Sequence, residues 1–394
     1  MSTSVATGRA RAWAWVAHLR GGGTTPWRSW TVADAPDLGR FLPGAQQLEL
    51  LRRLNLAGRP SAYLVERVLA ASAPGRGRPD LELVGVDEAR RFGPPAVDPA
   101  TLSDDELLRV ATGLLALDLA SARVEMREVV VDRPGSQPLS SSRRRPRRLR
   151  TRYELAGDPW LAASYTDQLV ADGRPPGGGG RSVHVLGSDL PTMLAHTWAA
   201  DAFGTGTPSW PDFLSRLRAR RRLPRRVDLP GVVERFRARP HTGEVGVVLD
   251  VTELPGLVGV RRLDPAPYVP EHATELARQV GVALSLHVLP AQQAALLSTV
   301  LRPRLASVGG GLPDVPPEHR DWVEDAAFGL RQRLLRARYP VVGDPDVVLP
   351  RWQVSQVHLG NLHRSAVATP QKRRESPRSS VLDLAIDLLL KEAP

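Results

Sequence analysis

The sequence predicts an α/β protein in which a mainly helical N-terminal region precedes a parallel-sheet domain. Two runs, Val183–Leu186 and Val245–Leu249, are nearly continuous in apolar residues, as in strands covered on both faces. Helical segments lie between and after them, the alternation expected of a parallel sheet. Before residue 131 the apolar positions recur with helical period only, and a Pro/Ser/Arg-rich stretch separates the two regions.

In order along the chain, "RAWAWVAHLR" reads as a helix. The "GGGTT" after it has the look of a phosphate cradle. It follows a helix and not a strand, has no lysine and runs at once into Pro26, so Gly21–Gly23 are expected to be a helix C-cap and turn. Trp27 and Trp30 are the tryptophans expected at the surface. "PGAQQLELLRRLNLAG" and "SAYLVERVLAAS" are two further helices bounded by Gly, Pro or Ser, and "SDDELLRVATGLLALDLASARVEM" is a third, with Ser103 at the N-cap and Glu106 three residues on. Asp104, Asp105 and Glu106 fall in its first turn, where the helix dipole favours acids, and need no catalytic explanation.

The expected division is a helical region over 1–131, a linker over 132–152, an α/β domain over 153–352 and a polar tail over 353–394. The linker holds seven arginines within 143–152, among them Arg143, Arg144, Arg145, Arg147 and Arg148. A second cluster, 216–226, holds seven more, including Arg220, Arg221 and Arg222. In the α/β domain, the first strand ends at Gly187 and Asp189 or Ser188 caps the helix "LPTMLAHTWAADAF". "VDLPGVVERFRARP" is a helix capped by Asp228. "EHATELARQVGVAL", "AQQAALLSTVLRPRL" and "PPEHRDWVEDAAFGLRQRLLRARY" are three more, the last with Trp322, Ala326, Leu330 and Leu334 on one face. Residues 381–391 form a short amphipathic helix, read either as docking on its own domain or as offered to a protein partner.

Composition bounds the chemistry. At 394 residues the chain can bury a substantial core, and with no cysteine it has no disulfide, thiolate nucleophile or thiolate metal site. No run of eighteen apolar residues occurs, so no membrane span is expected. The first thirty residues lack a signal-peptide pattern, and a bacterial, cytoplasmic protein is the expectation. The net charge of +11 invites a polyanion partner, yet all but two of the 53 basic residues are arginine, as a GC-rich coding sequence produces. The exceptions are Lys372 and Lys391, so the body has no lysine for a phosphate loop or a Schiff base. Neither arginine cluster has interleaved aromatic residues, which disfavours single-strand binding, and nucleic acid is not the preferred partner.

Several motifs are missing or weak. No H-E-x-x-H, G-x-S-x-G or strand-linked G-x-G-x-x-G is present, and His358 and His363 lie five apart with no carboxylate beside them. Neither a metal nor a cofactor is expected. "GGGG" at 177–180 precedes a strand and reads as a turn, and His184 reads as a sheet histidine. "RAWAWVAHLRGGGTTPWRSW" and "AHTWAADAFGTGTPSWPDFL" share a Trp-helix, Gly/Thr turn, Pro, Trp order. Their Trp-to-Pro intervals, counted from Trp13 and Trp198, differ by three residues, leaving duplication and convergence both open.

The succession of strand, Asp189-Leu190, "AHTW", Gly/Thr turn, "SWPDFLSRL", "LPGVVERFRARP" and strand resembles the middle of bacterial sulfotransferases, as "HRDWVEDAAFGLRQRLLRARYPVVGDPDVVLP" resembles their closing helix. The likeness covers residues 181–350. It implies a P-loop sulfotransferase-like fold and a 3′-phosphoadenylyl sulfate donor, held on a strand-loop-helix bearing a lysine. Here the nearest segment, "YELAGDPWLAASYTDQL", has Trp160 and Leu161 where a lysine and a hydroxyl residue would stand. The family's arginine is Ser188 and its serine eight residues on is His196. The resemblance therefore implies a degenerate, non-catalytic descendant that binds a protein partner or a phosphorylated ligand near Ser188, Asp189, Thr192 and His196. The alternatives are an active transferase with an altered donor site and a polyanion binder using the arginine clusters.

Overall fold

The computed structural model describes residues 2–31, 42–71, 80–86, 96–131, 152–177, 180–352 and 377–392. The linker cluster Arg143–Arg148 and the pair His358 and His363 lie outside them. The chain divides into two compact units, Met1–Glu128 with Glu275–Leu296 and Lys372–Pro394, and Val129–Thr274 with Leu297–Gln371. Residues 275–296, read from the sequence within the α/β domain, thus cluster with the helical unit, and so does the last helix. Among the described residues no helix is long and apolar enough to cross a membrane.

In the first unit, helix α1 (Ser2–Arg20) ends in a Schellman turn, with Gly22 at φ +87°. The Gly23 N–H reaches His18 O at 2.9 Å and the Gly22 N–H reaches Leu19 O at 3.0 Å, so the triple glycine is the C-cap the sequence predicts. Helix α2 (Ala45–Ala57) supports that turn from the side, Asn55 Nδ2 donating to Leu19 O and Gly23 O at 2.9 and 2.8 Å. Helix α3 (Ala62–Leu69) is capped by Ser61, whose hydroxyl accepts from the Leu64 N–H, and α4 runs from Asp104 to Val131. The last helix, Pro377–Glu392, buries Val381, Leu382, Ala385, Ile386, Leu388 and Leu389 and packs on α2. Its apolar face is thereby covered within this unit.

One expectation is corrected here. Trp27 is 2% exposed, because its ring packs on Trp15 with centroids 5.3 Å apart, and Arg11 lies over its other side at 4.0 Å. Trp30 is half-buried and stacks on His18.

The second unit carries a four-stranded, wholly parallel sheet in the order β1 (Tyr153–Gly157), β2 (Arg181–Leu186), β3 (Thr242–Val248), β4 (Val341–Val342). Helix α5 (Pro159–Ala171) follows β1, and α6 (Leu190–Ala202), α7 (Trp210–Arg220) and α8 (Leu229–Arg237) join β2 to β3. Along the chain after β3 come α9 (Leu254–Val258), α10 (Glu271–Leu284), α11 (Pro290–Leu296), α12 (Arg302–Leu305) and α13 (Pro317–Leu335), of which residues 275–296 group with the first unit. The segment read as one helix over 291–305 is instead split, with Leu297–Leu301 in a wider π turn between α11 and α12. Pro303 has no N–H to continue the regular ladder, which explains the break.

Alternation distributes the sheet residues between two cores. Val183, Val185, Val245 and Val247 join Leu194, Trp198, Phe213, Val233 and Leu330 on one face. Tyr153, Leu186 and Val248 join Tyr165, Leu169, Leu254 and Val258 on the other. Both faces are covered, which is why β2 and β3 read as continuous apolar runs.

The turn after α6 repeats the geometry found after α1. Trp198 Nε1 donates to Pro208 O at 2.9 Å and the ring meets Trp210 at 5.6 Å and 54°; Trp15 Nε1 donates to Thr25 O at 2.9 Å and meets Trp27 at 5.3 Å and 51°. In each, an indole closes the Gly/Thr turn by bonding ten residues ahead and packing twelve ahead. Replacing Trp198 or Trp15 by Phe keeps most of the ring but removes the donor to a carbonyl. Each change is expected to lower stability by about 1 kcal/mol, read as a fall in the urea midpoint.

Candidate functional site

The loops after the carboxyl ends of parallel strands are where α/β proteins hold ligands. Here each of the four strands runs into an aspartate that closes the next helical turn. Asp158 follows β1 and accepts at Oδ1 from the N–H groups of Trp160 and Leu161 at 3.0 and 3.1 Å. Asp189 follows β2 and accepts from the Thr192 N–H at 3.0 Å. Asp250 and Asp344 follow β3 and β4 and accept from the N–H groups of Thr252 and Asp346. The two Thr252 hydrogen bonds hold the Asp250 carboxyl below its usual range.

The segment read from the sequence as the nearest candidate for a donor loop is β1–Gly157–Asp158–α5. Gly157 sits at φ +90°, and a Cβ there would lie 2.2 Å from Leu186 O, so only glycine lets β1 turn this close to β2. The N–H groups that would face an anion are taken by the protein's own Asp158.

Of the predicted ligand set, the structure places Ser188, Asp189 and Thr192 together at the start of α6 and takes His196 elsewhere. His196 is 5% exposed, and its Nδ1 lies 2.7 Å from Asp158 Oδ2, a carboxylate that is completely buried. With three N–H donors around it, Asp158 ties the start of α5 to the middle of α6. The hydroxyls of Ser188 and Ser164 are buried without a hydrogen-bond partner. Sequence reasoning weighed Gly157 and Pro159 but passed over Asp158 between them. The available signal was an Asp-Pro pair opening a helix, the pattern of an N-cap.

The second arginine cluster forms a different kind of surface in the same unit. Arg218 and Arg220 lie in the last turn of α7, where the dipole favours cations. Arg221 follows in the left-handed conformation, φ 48° and ψ 36°, and is exposed with Arg220 and Arg222. Among the described residues, only Arg221 and His241 take positive φ without being glycine, against ten glycines that do.

Arg221 borders two hollows. One, of about 430 Å³, is lined by Arg221, Arg222 and Arg333 together with Leu223, Trp322, Ala326 and Asp228. The other, of about 520 Å³, is lined by Ser215, Arg218, Arg221 and His319. His319 is 5% exposed with Nδ1 unpartnered. Asp228 stands at the N-cap position of α8 as predicted, but its side chain makes no capping bond. It pairs instead with Arg333, Nη1 to Oδ1 at 2.8 Å, a contact without hydrogen-bond alignment, so Oδ1 stays unsatisfied. No family model, curated protein or solved structure matches the chain.

Two outcomes test these assignments. Replacing His196 by Ala leaves Asp158 buried with one oxygen unpaired, and stability should fall by about 3 kcal/mol in urea unfolding. The second concerns pH. His184 in β2 and His272 in α10 are both pushed below the ordinary histidine value by burial, with Glu244 partly offsetting the shift at His184. The unfolded chain therefore binds more protons than the folded one below about pH 6.5, and stability present at pH 7.5 declines on acidification. A His184→Gln variant should lose less stability between pH 7.5 and 5.5 than the parent; an equal loss would show that His184 does not contribute.

Proposed function

We propose that this is a non-catalytic, cytoplasmic binding protein whose α/β unit retains a degenerate sulfotransferase-like architecture. It holds a phosphorylated ligand against Arg221 and not at the start of α6. The observation that carries this reading is Arg221 itself, a left-handed residue kept as arginine at the meeting point of two hollows. Strained backbone positions persist where function requires them, and glycine would be the unstrained choice after α7.

Charge supports the same placement. A phosphate at the start of α6 would meet the carboxylate of Asp189 and find the Thr192 N–H already bonded to it. Just past α7 it meets the guanidiniums of Arg221 and Arg222, which have no ion-pair partner among the described residues and suit bidentate binding of phosphate oxygens. The absence of lysine before residue 372 and the capped β1–α5 loop favour binding over sulfuryl transfer.

Arg221→Gly tests the proposal because it removes the cation while suiting the backbone. Calorimetric titration of the whole chain with inorganic pyrophosphate at low salt should show binding that weakens at least tenfold in the variant. Its stability should be unchanged or higher by up to about 1 kcal/mol. Equal binding by parent and variant, or none by the parent, overturns it. Equally tight binding of unrelated duplex DNA, steeply dependent on salt, would favour the polyanion reading.

A further inference from the structure

We infer that the ligand of the hollow beside α13 is a nucleotide, its base lying on Trp322 and its phosphates at Arg221 and Arg222; this rests on the anion reading just given. Three features of the hollow exceed what a bare phosphate needs. The first is the face that α13 presents. Trp322, Ala326, Gly329 and Arg333 stand at i, i+4, i+7 and i+11, one stripe of the helix, and all four line the hollow. A half-buried indole opens the stripe and a guanidinium closes it. Two small residues stand between them, and a Cβ at Gly329 would meet nothing within 4 Å, so the hollow is open at that point. Trp322 is half-buried against the core of the second unit, and among the described residues neither another aromatic ring nor an arginine stacks on it.

The second feature is Asp228. A site for inorganic phosphate gains nothing from a carboxylate, which repels the anion. A nucleotide, however, brings ribose hydroxyls and base amino groups that donate hydrogen bonds, and an aspartate is a suitable acceptor. Asp228 is held by Arg333 and forgoes the helix cap its position offers, which leaves it an acceptor on the wall of the hollow.

The third is size. From Trp322 to Arg333 the helix rises about 16 Å, so the stripe that lines the hollow is long enough for a nucleotide to lie along it. The hollow's volume of about 430 Å³ falls within the range of small-molecule sites. An aromatic side chain together with cations binds a base by stacking and its phosphates by charge, a combination tolerant of base identity.

The test is calorimetric titration of the whole chain with ADP and with inorganic pyrophosphate, using the parent, Trp322→Leu and Trp322→Phe. ADP is expected to bind about tenfold more tightly than pyrophosphate in the parent. Trp322→Leu should lose that advantage while binding pyrophosphate as before, and Trp322→Phe, which keeps a ring, should recover most of it. ADP should also quench parent fluorescence by a component missing in both variants. Unchanged pyrophosphate binding certifies that each variant is folded at the site. If parent ADP and pyrophosphate affinities are equal, or if Trp322→Leu leaves the ADP advantage intact, the nucleotide inference is wrong while the anion reading stands. If neither ligand binds the parent, the anion reading fails and takes this inference with it.

Discussion

The constraint on which the sheet unit depends is that every strand ends in an aspartate serving its own backbone. A helix beginning just after a parallel strand presents unpaired N–H groups at the carboxyl edge of the sheet, and these must be satisfied. Many α/β proteins leave that task to a ligand's phosphate. Here Asp158, Asp189, Asp250 and Asp344 do it from within, so the usual anion site is both filled and negatively charged. Asp158 goes furthest, for its second oxygen engages His196 and makes one buried carboxylate the joint between α5 and α6. A ligand bearing negative charge must then be sought where cations are uncompensated, and the end of α7 is such a place.

What could be read from the sequence follows from the same physics. Strands β2 and β3 are covered on both faces and announce themselves as apolar runs, and α2, α3, α6 and α13 carry period and end signals together. Strand β1 was harder to read because it lies at the edge of the sheet and carries Glu154. That charge is tolerated through ion pairs with Arg181 and Arg239, which no local pattern reveals. Strand β4 is two residues long and has no period to detect. The site was legible only as residue types. That His196 belongs to Asp158, or that Arg221 is left-handed between two hollows, depends on partners 38 and about 100 residues away.

The repeated Trp order has a physical explanation that sequence spacing obscured. Measured from Trp15 and Trp198, the interval to the second tryptophan is twelve residues in both, and ring distance and tilt nearly coincide. Counted from Trp15 instead of Trp13, the difference in the Trp-to-Pro intervals shrinks from three residues to one. Beyond the turn the two segments part company, Trp27 opening a single 3-10 turn and Trp210 an eleven-residue helix. A shared requirement, closing a glycine turn with an indole that both donates and packs, is enough to produce the likeness without common descent.

The arginine content itself is a poor guide, since several arginines serve ion pairs within the fold. Arg52 and Arg53 neutralise the buried Glu49, Arg67 meets Asp118, Arg181 meets Glu154 and Arg278 meets Glu275. A count of arginines does not explain their convergence. Around Arg221, cations gather on a concave surface together with apolar residues, one of them holds a backbone conformation glycine would take at lower cost, and the nearby acid declines its helix cap. Three independent departures from the least-energy choice at one place argue for a ligand whose binding energy offsets them.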